Sequence, residues 1–202
     1  IGNEGVRFTN SFVANSISGP SRACMLTGKH SHANGFINNS TTFNGDQLTF
    51  PKLLQQNGYQ TAMIGKWHLV SDPQGFDHWE ILPGQGDYYN PTFIQMNGER
   101  VQVEGYATNI ITDKAIDWIE NQRDESKPFC MLLHHKAPHR TWMPDTCDLE
   151  LFADKTFPLP DNFYDNYEGR LAAQKQKMNI ANDMEIVYDL KMADKEDEIH
   201  SG

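Results

Sequence analysis

Apolar and polar stretches alternate along this chain in a way that predicts strands and helices in turn. The segment 48–69 predicts a helix that begins at Pro51 and ends at Gly58, followed by a strand over 59–65. Apolar residues in 105–122 have helical spacing, and 127–138 is an apolar run that ends in polar residues, as in a buried parallel strand. This order predicts an α/β fold with a mostly parallel central sheet flanked by helices.

The segment SGPSRACMLTG (18–28) predicts a further, short helix. Pro20 suits the first turn of a helix, and Gly28 suits the left-handed residue just past its end. Ser18 is of the type that caps a helix by accepting a backbone hydrogen bond. The local pattern by itself therefore assigns Ser18 to a helix cap.

Two other segments have weaker patterns. Residues 83–99 are rich in Gly, Pro, Asn and aromatic side chains, which predicts an ordered loop with a short hairpin. The polar segment 161–202 is expected to be helical in parts.

Polar side chains follow the two predicted strands at the points where these strands end. GKWH follows the first strand and HHKAPHR the second, and in α/β sheets ligands bind just past the carboxyl ends of strands. Lys66, His68, His134, His135 and His139 are therefore candidates for a site. Each histidine could equally be an ordinary surface or core residue, and for His134 and His135 we keep that interpretation.

The charge distribution is compatible with an anionic ligand. The net charge is −10, yet 5–45 and 127–144 contain no Asp or Glu. If these two segments fold to one place, they create a local positive field. The three cysteines lack metal-site spacing. No apolar run is long enough to span a membrane, and we expect neither a membrane span nor a nucleic-acid partner.

Three separate segments resemble one family. SGPSRACMLTG (18–28) is similar to the sulfatase signature, in which a Cys or Ser precedes x-Pro-Ser-Arg and Leu-Thr-Gly follows. GYQTAMIGKWHL (58–69) resembles the second sulfatase motif, and APH (137–139) resembles the position of the third active-site histidine. The chain is identified as resembling the formylglycine-dependent sulfatases of the alkaline-phosphatase superfamily, with the serine form of the signature. The expected fold is part of an alkaline-phosphatase-like sandwich.

The resemblance implies a set of catalytic residues. Ser18 would be oxidised by a formylglycine-generating maturation enzyme, and the hydrated aldehyde would attack sulfur and also bind calcium. Arg22 would hold the formylglycine hydroxyl, and Lys66 would place its charge on the sulfate oxygens. His68 would orient or deprotonate the hydrate, and His139 would contact the sulfate or protonate the leaving oxygen. Lys29 and His30 are weaker candidates.

The resemblance also implies calcium ligands that this chain lacks. The family carries a pair of aspartates before the signature and an Asp-Asn pair on a later strand, and no Asp-Asp pair occurs here. We therefore expect residues 1–202 to be an internal, partial N-terminal catalytic domain, without the first strand and the later metal-binding strands. By itself such a fragment would be inactive.

Outside the shared motifs, 75–91 and 134–142 look most like bacterial N-acetylglucosamine-6-sulfatases. The expected function is hydrolysis of 6-O-sulfate esters on N-acetylglucosamine in sulfated glycans, by a periplasmic or otherwise exported bacterial enzyme. Two alternatives stay open: a phosphonate or phosphodiester hydrolase of the same superfamily, and a non-catalytic protein that binds sulfated glycans with unmodified Ser18. Tyr88, Tyr89 and Asn90 either stack on a sugar or pack within their loop.

Overall fold

A computed structural model of the chain describes residues 2–177 and 183–190. The chain divides into two compact units, Ile1–Lys136 and Ala137–Gly202. No helix in these described ranges is both long and apolar enough to cross a membrane.

The first unit is built on a five-stranded mixed sheet. Its strands are β1 (Gln60–Lys66), β2 (His78–Leu82), β3 (Thr92–Gln95), β4 (Arg100–Gln102) and β5 (Phe129–His134), in the order β4-β3-β2-β1-β5. β1 pairs in parallel with β2 and β5, whereas β3 is antiparallel to both of its neighbours. The two strands predicted from the apolar runs are thus neighbours, and the α/β class is confirmed.

The central strand β1 contributes to a hydrophobic core on each face of the sheet. Met63 belongs to one buried cluster, whereas Ala62 and Ile64 belong to the other. This alternation follows from the pleat of a strand, which points successive side chains to opposite faces. The continuous apolar character of β1 therefore reflects burial on both sides.

Helices cover both faces. In the first unit they are α1 (Ser18–Thr27), α2 (Ser31–Asn34), α3 (Phe50–Gln56) and α4 (Ala107–Asp117), and a π-helical turn, Trp118–Gln122, continues α4. Ala23 and Leu26 of α1 pack in the cluster of Met63, whereas Ile111 and Ala115 of α4 pack in the other cluster. The predicted flanking helices are confirmed.

The start of α1 differs from the predicted cap. Ile17 is the capping residue, Ser18 is the first helical residue, and no side chain caps this end. The prediction that Ser18 caps the helix is therefore wrong by one position, and its hydroxyl is turned toward other side chains. Pro20 does lie in the first turn, and Gly28 ends the helix with a left-handed φ of 66°.

The loop predicted over 83–99 contains part of a hairpin. Strands β3 and β4 pair around a turn at Asn97 and Gly98, so the hairpin extends past the predicted end. Tyr88 is buried and stacks on Tyr106, which supports packing within the loop for this residue. Strand β2 is an element that the sequence pattern did not indicate.

In its described residues, 137–177 and 183–190, the second unit contains only short elements. They are a 3₁₀ turn, Thr146–Asp148, and two short helices, α5 (Leu171–Lys175) and α6 (Ile186–Leu190). Arg140 forms an ion pair with the buried carboxylate of Asp189. The helices expected in 161–202 are confirmed at α5 and α6, and residues 178–182 and 191–202 lie outside the described ranges.

Replacing Gly65 by alanine is expected to destabilise the fold by about 4 kcal/mol or more. Its φ is +103°, and a Cβ there would lie 2.1 Å from the carbonyl oxygen of His134, a backbone atom of the neighbouring strand. Neither strand can move without breaking the β1–β5 ladder. Urea unfolding of the variant and of the wild type measures the difference.

The matched control is Gly98→Ala, because Gly98 also has a positive φ, +82°, but faces open space. This control isolates the conformational cost of a left-handed alanine, about 1–2 kcal/mol. If the two variants lost equal amounts of stability, the role assigned to the close contact at Gly65 would be contradicted.

Candidate active site

Four of the predicted site residues meet at the carboxyl end of β1. Nδ1 of His68 lies 3.1 Å from the hydroxyl oxygen of Ser18, and Nε of Arg22 donates to the same oxygen at 3.4 Å. Nη1 of Arg22 donates to the backbone carbonyl of Lys66 at 2.8 Å. The start of α1 and the end of β1, separated by more than forty residues, therefore form one site.

Close backbone packing places Ser18 and His68 against each other. A Cβ on Gly19 would lie 2.6 Å from the ring of Phe36 and 3.1 Å from the carbonyl oxygen of His68. The N–H of Gly19 donates to Oδ1 of Asn39 at 3.1 Å. The glycine after Ser18 is thus required because only a residue without a side chain fits there.

The turn after β1 holds His68 in an unusual conformation. His68 has a φ of +57°, in the left-handed region that non-glycine residues rarely adopt. The turn is fixed by Trp67, which is buried and whose indole N–H donates to the carbonyl of Ser71 at 2.6 Å. Such strain persists where the surroundings enforce it, commonly at functional sites.

Lys66 is a buried cation with neutral partners. Its side chain is nearly inaccessible, with 3% of the residue exposed, and Nζ donates to Oε1 of Gln85 at 2.5 Å. Nζ of Lys136 donates to the backbone carbonyl of the same Gln85 at 3.3 Å. Within the described ranges no carboxylate forms an ion pair with either lysine. Burial, and then the charges of Arg22 and Lys136, lower the pKa of Lys66 to about 8.

His134 also belongs to this site, contrary to the interpretation kept above. Its Nδ1 lies 2.9 Å from Nη1 of Arg22 and 3.2 Å from the carbonyl oxygen of Lys66. Burial, and then the charge of Arg22, lower the pKa of the imidazole to about 4, so the ring is neutral at pH 7. The position of His134 at a strand end was the available signal.

Three further groups were not found from the sequence. Asn39, Gln85 and Lys136 come from a turn, a loop and the segment after β5, and each acts through contacts that local patterns do not reveal. Only Lys136 had a sequence signal, as a basic residue in the acid-free segment 127–144.

His139 lies in the second unit, where its Nδ1 is 2.5 Å from the carbonyl oxygen of Arg140. Its role in the reaction stays a prediction. Lys29 and His30 lie between α1 and α2, and His30 stacks on His32 at a centroid distance of 5.8 Å.

The side chains around Ser18 do not by themselves fit a calcium ion. Calcium takes six to eight oxygen ligands, mainly carboxylates and carbonyls. The groups that contact Ser18 are a guanidinium and an imidazole. No cluster of three or more His, Cys, Asp or Glu suited to a metal occurs in the part of the chain that the structure describes.

Comparison with known proteins identifies the family. The sulfatase family model matches residues 1–190. The chain belongs to the sulfatase family. The match includes the helix α1, the strand β1 and the strand β5, whose ends carry residues of the site.

Two relatives illustrate the similarity. An N-acetylglucosamine-6-O-sulfatase of Bacteroides thetaiotaomicron is 59% identical over 98% of this chain, which spans 36% of that relative's length. The human N-acetylglucosamine-6-sulfatase is 27% identical over 81% of the chain, which spans 34% of its length.

Solved structures agree with the sulfatase fold. The structure of BT4656 in complex with its substrate D-glucosamine-2-N,6-O-disulfate superposes with a TM-score of 0.90 at 58% identity, covering 98% of this chain and 41% of that one. The protein yidJ from Bacteroides fragilis has a TM-score of 0.60 at 22% identity, covering 86% of this chain and 42% of its own, a likeness of fold alone.

Replacing Lys66 by methionine is expected to raise the free energy of unfolding at pH 7 by about 1–3 kcal/mol. Below pH 8 Lys66 is charged in both states, so the full cost of burying the charge is present. Between pH 8 and 10.5 the folded protein releases the proton while the unfolded chain keeps it, which stabilises the wild type. Urea unfolding should show that the difference in the free energy of unfolding between Lys66→Met and the wild type becomes smaller from pH 7 to pH 9.5.

The control is Lys127→Met, at an exposed lysine outside the site. Lys127→Met should change the free energy of unfolding by no more than about 0.5 kcal/mol, as most surface substitutions do. An advantage of Lys66→Met that grows with pH would contradict the lowered pKa.

Proposed function

We propose that the protein hydrolyses sulfate esters by means of a formylglycine made from Ser18. The observation that carries this proposal is the position of the Ser18 hydroxyl, between Nδ1 of His68 at 3.1 Å and Nε of Arg22 at 3.4 Å. Both groups lie in a chain that belongs to the sulfatase family, on the two motifs that resemble the family signature.

Formylglycine, when present at position 18, supplies a hydrated aldehyde whose hydroxyl is the nucleophile toward sulfur. The residues around it have separate tasks in the proposal. His68 accepts a proton from the group at position 18, which its 3.1 Å contact allows. Arg22 donates a hydrogen bond to the same group and keeps it oriented.

Lys66 is proposed to stabilise the negative charge of the sulfate oxygens. With a pKa of about 8 it is mostly protonated at pH 7, and it lies in a setting where an added anion removes the cost of its burial. The N-terminus of α1 adds the positive end of the helix dipole near residue 18. His139 is proposed, from the family resemblance, to contact the sulfate or to protonate the leaving oxygen.

The proposed substrate is a 6-O-sulfate ester on a glucosamine or N-acetylglucosamine residue of a sulfated glycan. Two findings support it: the 59% identity with an N-acetylglucosamine-6-O-sulfatase, and the 58% identity with BT4656, whose substrate is D-glucosamine-2-N,6-O-disulfate. Both relatives extend well beyond the part that this chain matches.

The proposal also includes calcium, a maturation enzyme, and export to the periplasm or beyond. All three rest on the family resemblance. The groups that contact Ser18 are nitrogen atoms of Arg22 and His68, so calcium would need oxygen ligands from other residues. Residues 1–202 produced alone are predicted to show no sulfatase turnover with added calcium, and clear turnover would contradict this.

Maturation should remove two hydrogen atoms from the peptide that contains Ser18, because oxidation converts the alcohol to an aldehyde. Mass spectrometry of the full-length protein from its native host measures this loss. The Ser18→Ala variant should show no such loss and should lower kcat/KM by about 10⁴-fold or more, because the nucleophile is gone.

Ser16→Ala is the matched control, since Ser16 is exposed and lies two residues before the site. It should keep both the mass change and the activity. An unmodified Ser18 in an inactive native protein that still binds sulfated glycans would favour the non-catalytic alternative.

Comparative kinetics test the reaction class. The full-length protein should hydrolyse N-acetylglucosamine 6-sulfate with a kcat/KM at least about 100-fold above that for matched phosphate mono- and diesters, a discrimination of about 2.7 kcal/mol. N-acetylglucosamine sulfated at O3 serves as the positional control. Preference for a phosphodiester would instead support the alternative phosphonate or phosphodiester hydrolase.

A further inference from the structure

The contacts of Nδ1 of His134 favour one position for the proton of the imidazole. Nη1 of Arg22 lies 2.9 Å from Nδ1 of His134. A guanidinium has donors only, so Nη1 donates to Nδ1 only when Nδ1 presents its lone pair. Nδ1 also lies 3.2 Å from the carbonyl oxygen of Lys66, to which an Nδ1–H would donate instead, and the shorter contact with Nη1 favours the lone pair. The proton of the neutral ring is then on Nε2.

Nη1 of Arg22 has two hydrogens, and each has an acceptor. One goes to the backbone carbonyl of Lys66 at 2.8 Å, and the other to Nδ1 of His134 at 2.9 Å. With Nη1 held at two points, the plane of the guanidinium is fixed, and Nε is directed at Ser18. A long side chain with many rotamers thereby acquires one orientation.

The surroundings favour an acceptor at His134. A cavity of about 120 Å³ borders both side chains. Its other lining residues are apolar, namely Met25, Leu26, Phe50, Trp67 and Leu132. Burial lowers the pKa of His134 to about 4, so the ring is neutral and has one nitrogen with a free lone pair across the neutral range.

We propose that His134 is a positioning residue, which accepts a hydrogen bond from Arg22 at Nδ1 and so aims Nε of Arg22 at residue 18. The effect on rate rests on the proposed function, whereas the hydrogen bond itself does not. Neither the signature motif nor the GKWH motif contains His134.

Two substitutions in the full-length protein separate the acceptor from the packing of the ring. His134→Asn keeps an oxygen acceptor close to the position of Nδ1, and His134→Leu has similar bulk without any acceptor. His134→Leu should lower kcat by about 10–100-fold with a much smaller change in KM, because misplacing a group beside the nucleophile costs about that much. His134→Asn should keep kcat within about 5-fold of the wild type.

His135→Asn is the matched control, because within the described residues Nδ1 of His135 is buried without a hydrogen-bond partner. It should leave kcat unchanged. An active His134→Leu variant, or a His134→Asn variant as slow as His134→Leu, would overturn the proposal. Thermal unfolding of each variant distinguishes slow catalysis from loss of fold.

A second measurement requires neither a variant that folds well nor an active enzyme. The imidazole ¹⁵N spectrum of the full-length protein at pH 7, assigned with His134→Asn, should show Nδ1 unprotonated and Nε2 protonated. A protonated Nδ1 would overturn the proposal. A wild-type protein without sulfatase activity would count against the proposed function, and the ¹⁵N spectrum would still decide the hydrogen bond.

Discussion

The guanidinium group of Arg22 joins three elements that lie far apart in the chain. Nη1 donates to the carbonyl of Lys66 at the end of β1 and contacts the ring of His134 at the end of β5. Nε reaches Ser18 at the start of α1. The site depends on this one side chain, because it brings the carboxyl ends of two parallel strands and the amino end of a helix to a single point.

The second constraint is electrostatic. Arg22, Lys66 and Lys136 are near one another, and in the described part of the chain their hydrogen-bond partners are neutral oxygens and one imidazole. Burying cations without carboxylates costs stability, and this cost appears as the lowered pKa of Lys66. A bound anion would offset that cost, which supports the role proposed for Lys66.

The fold was predictable where the signals are local. Apolar runs located β1 and β5, and Pro51 and Gly28 marked helix ends, because proline and glycine act through their own backbone geometry. Strand β2 lacked such a signal, and the cap at Ser18 was misplaced because the serine hydroxyl contacts the side chains of His68 and Arg22 instead of a backbone N–H of the helix. His68 lies fifty residues further along the chain, beyond the reach of a capping pattern.

The residues of the candidate site likewise fall into those that the sequence indicates and those that only the structure reveals. The sequence by itself determined which residues the proposed chemistry uses, since Ser18, Arg22, Lys66 and His68 lie in two contiguous motifs that resemble those of sulfatases. Only the tertiary structure decided that His134 is part of it. The parallel register that pairs Gly65 with His134 places this histidine beside Arg22. Register results from packing between strands distant in the chain, and no local pattern of residue types contains it.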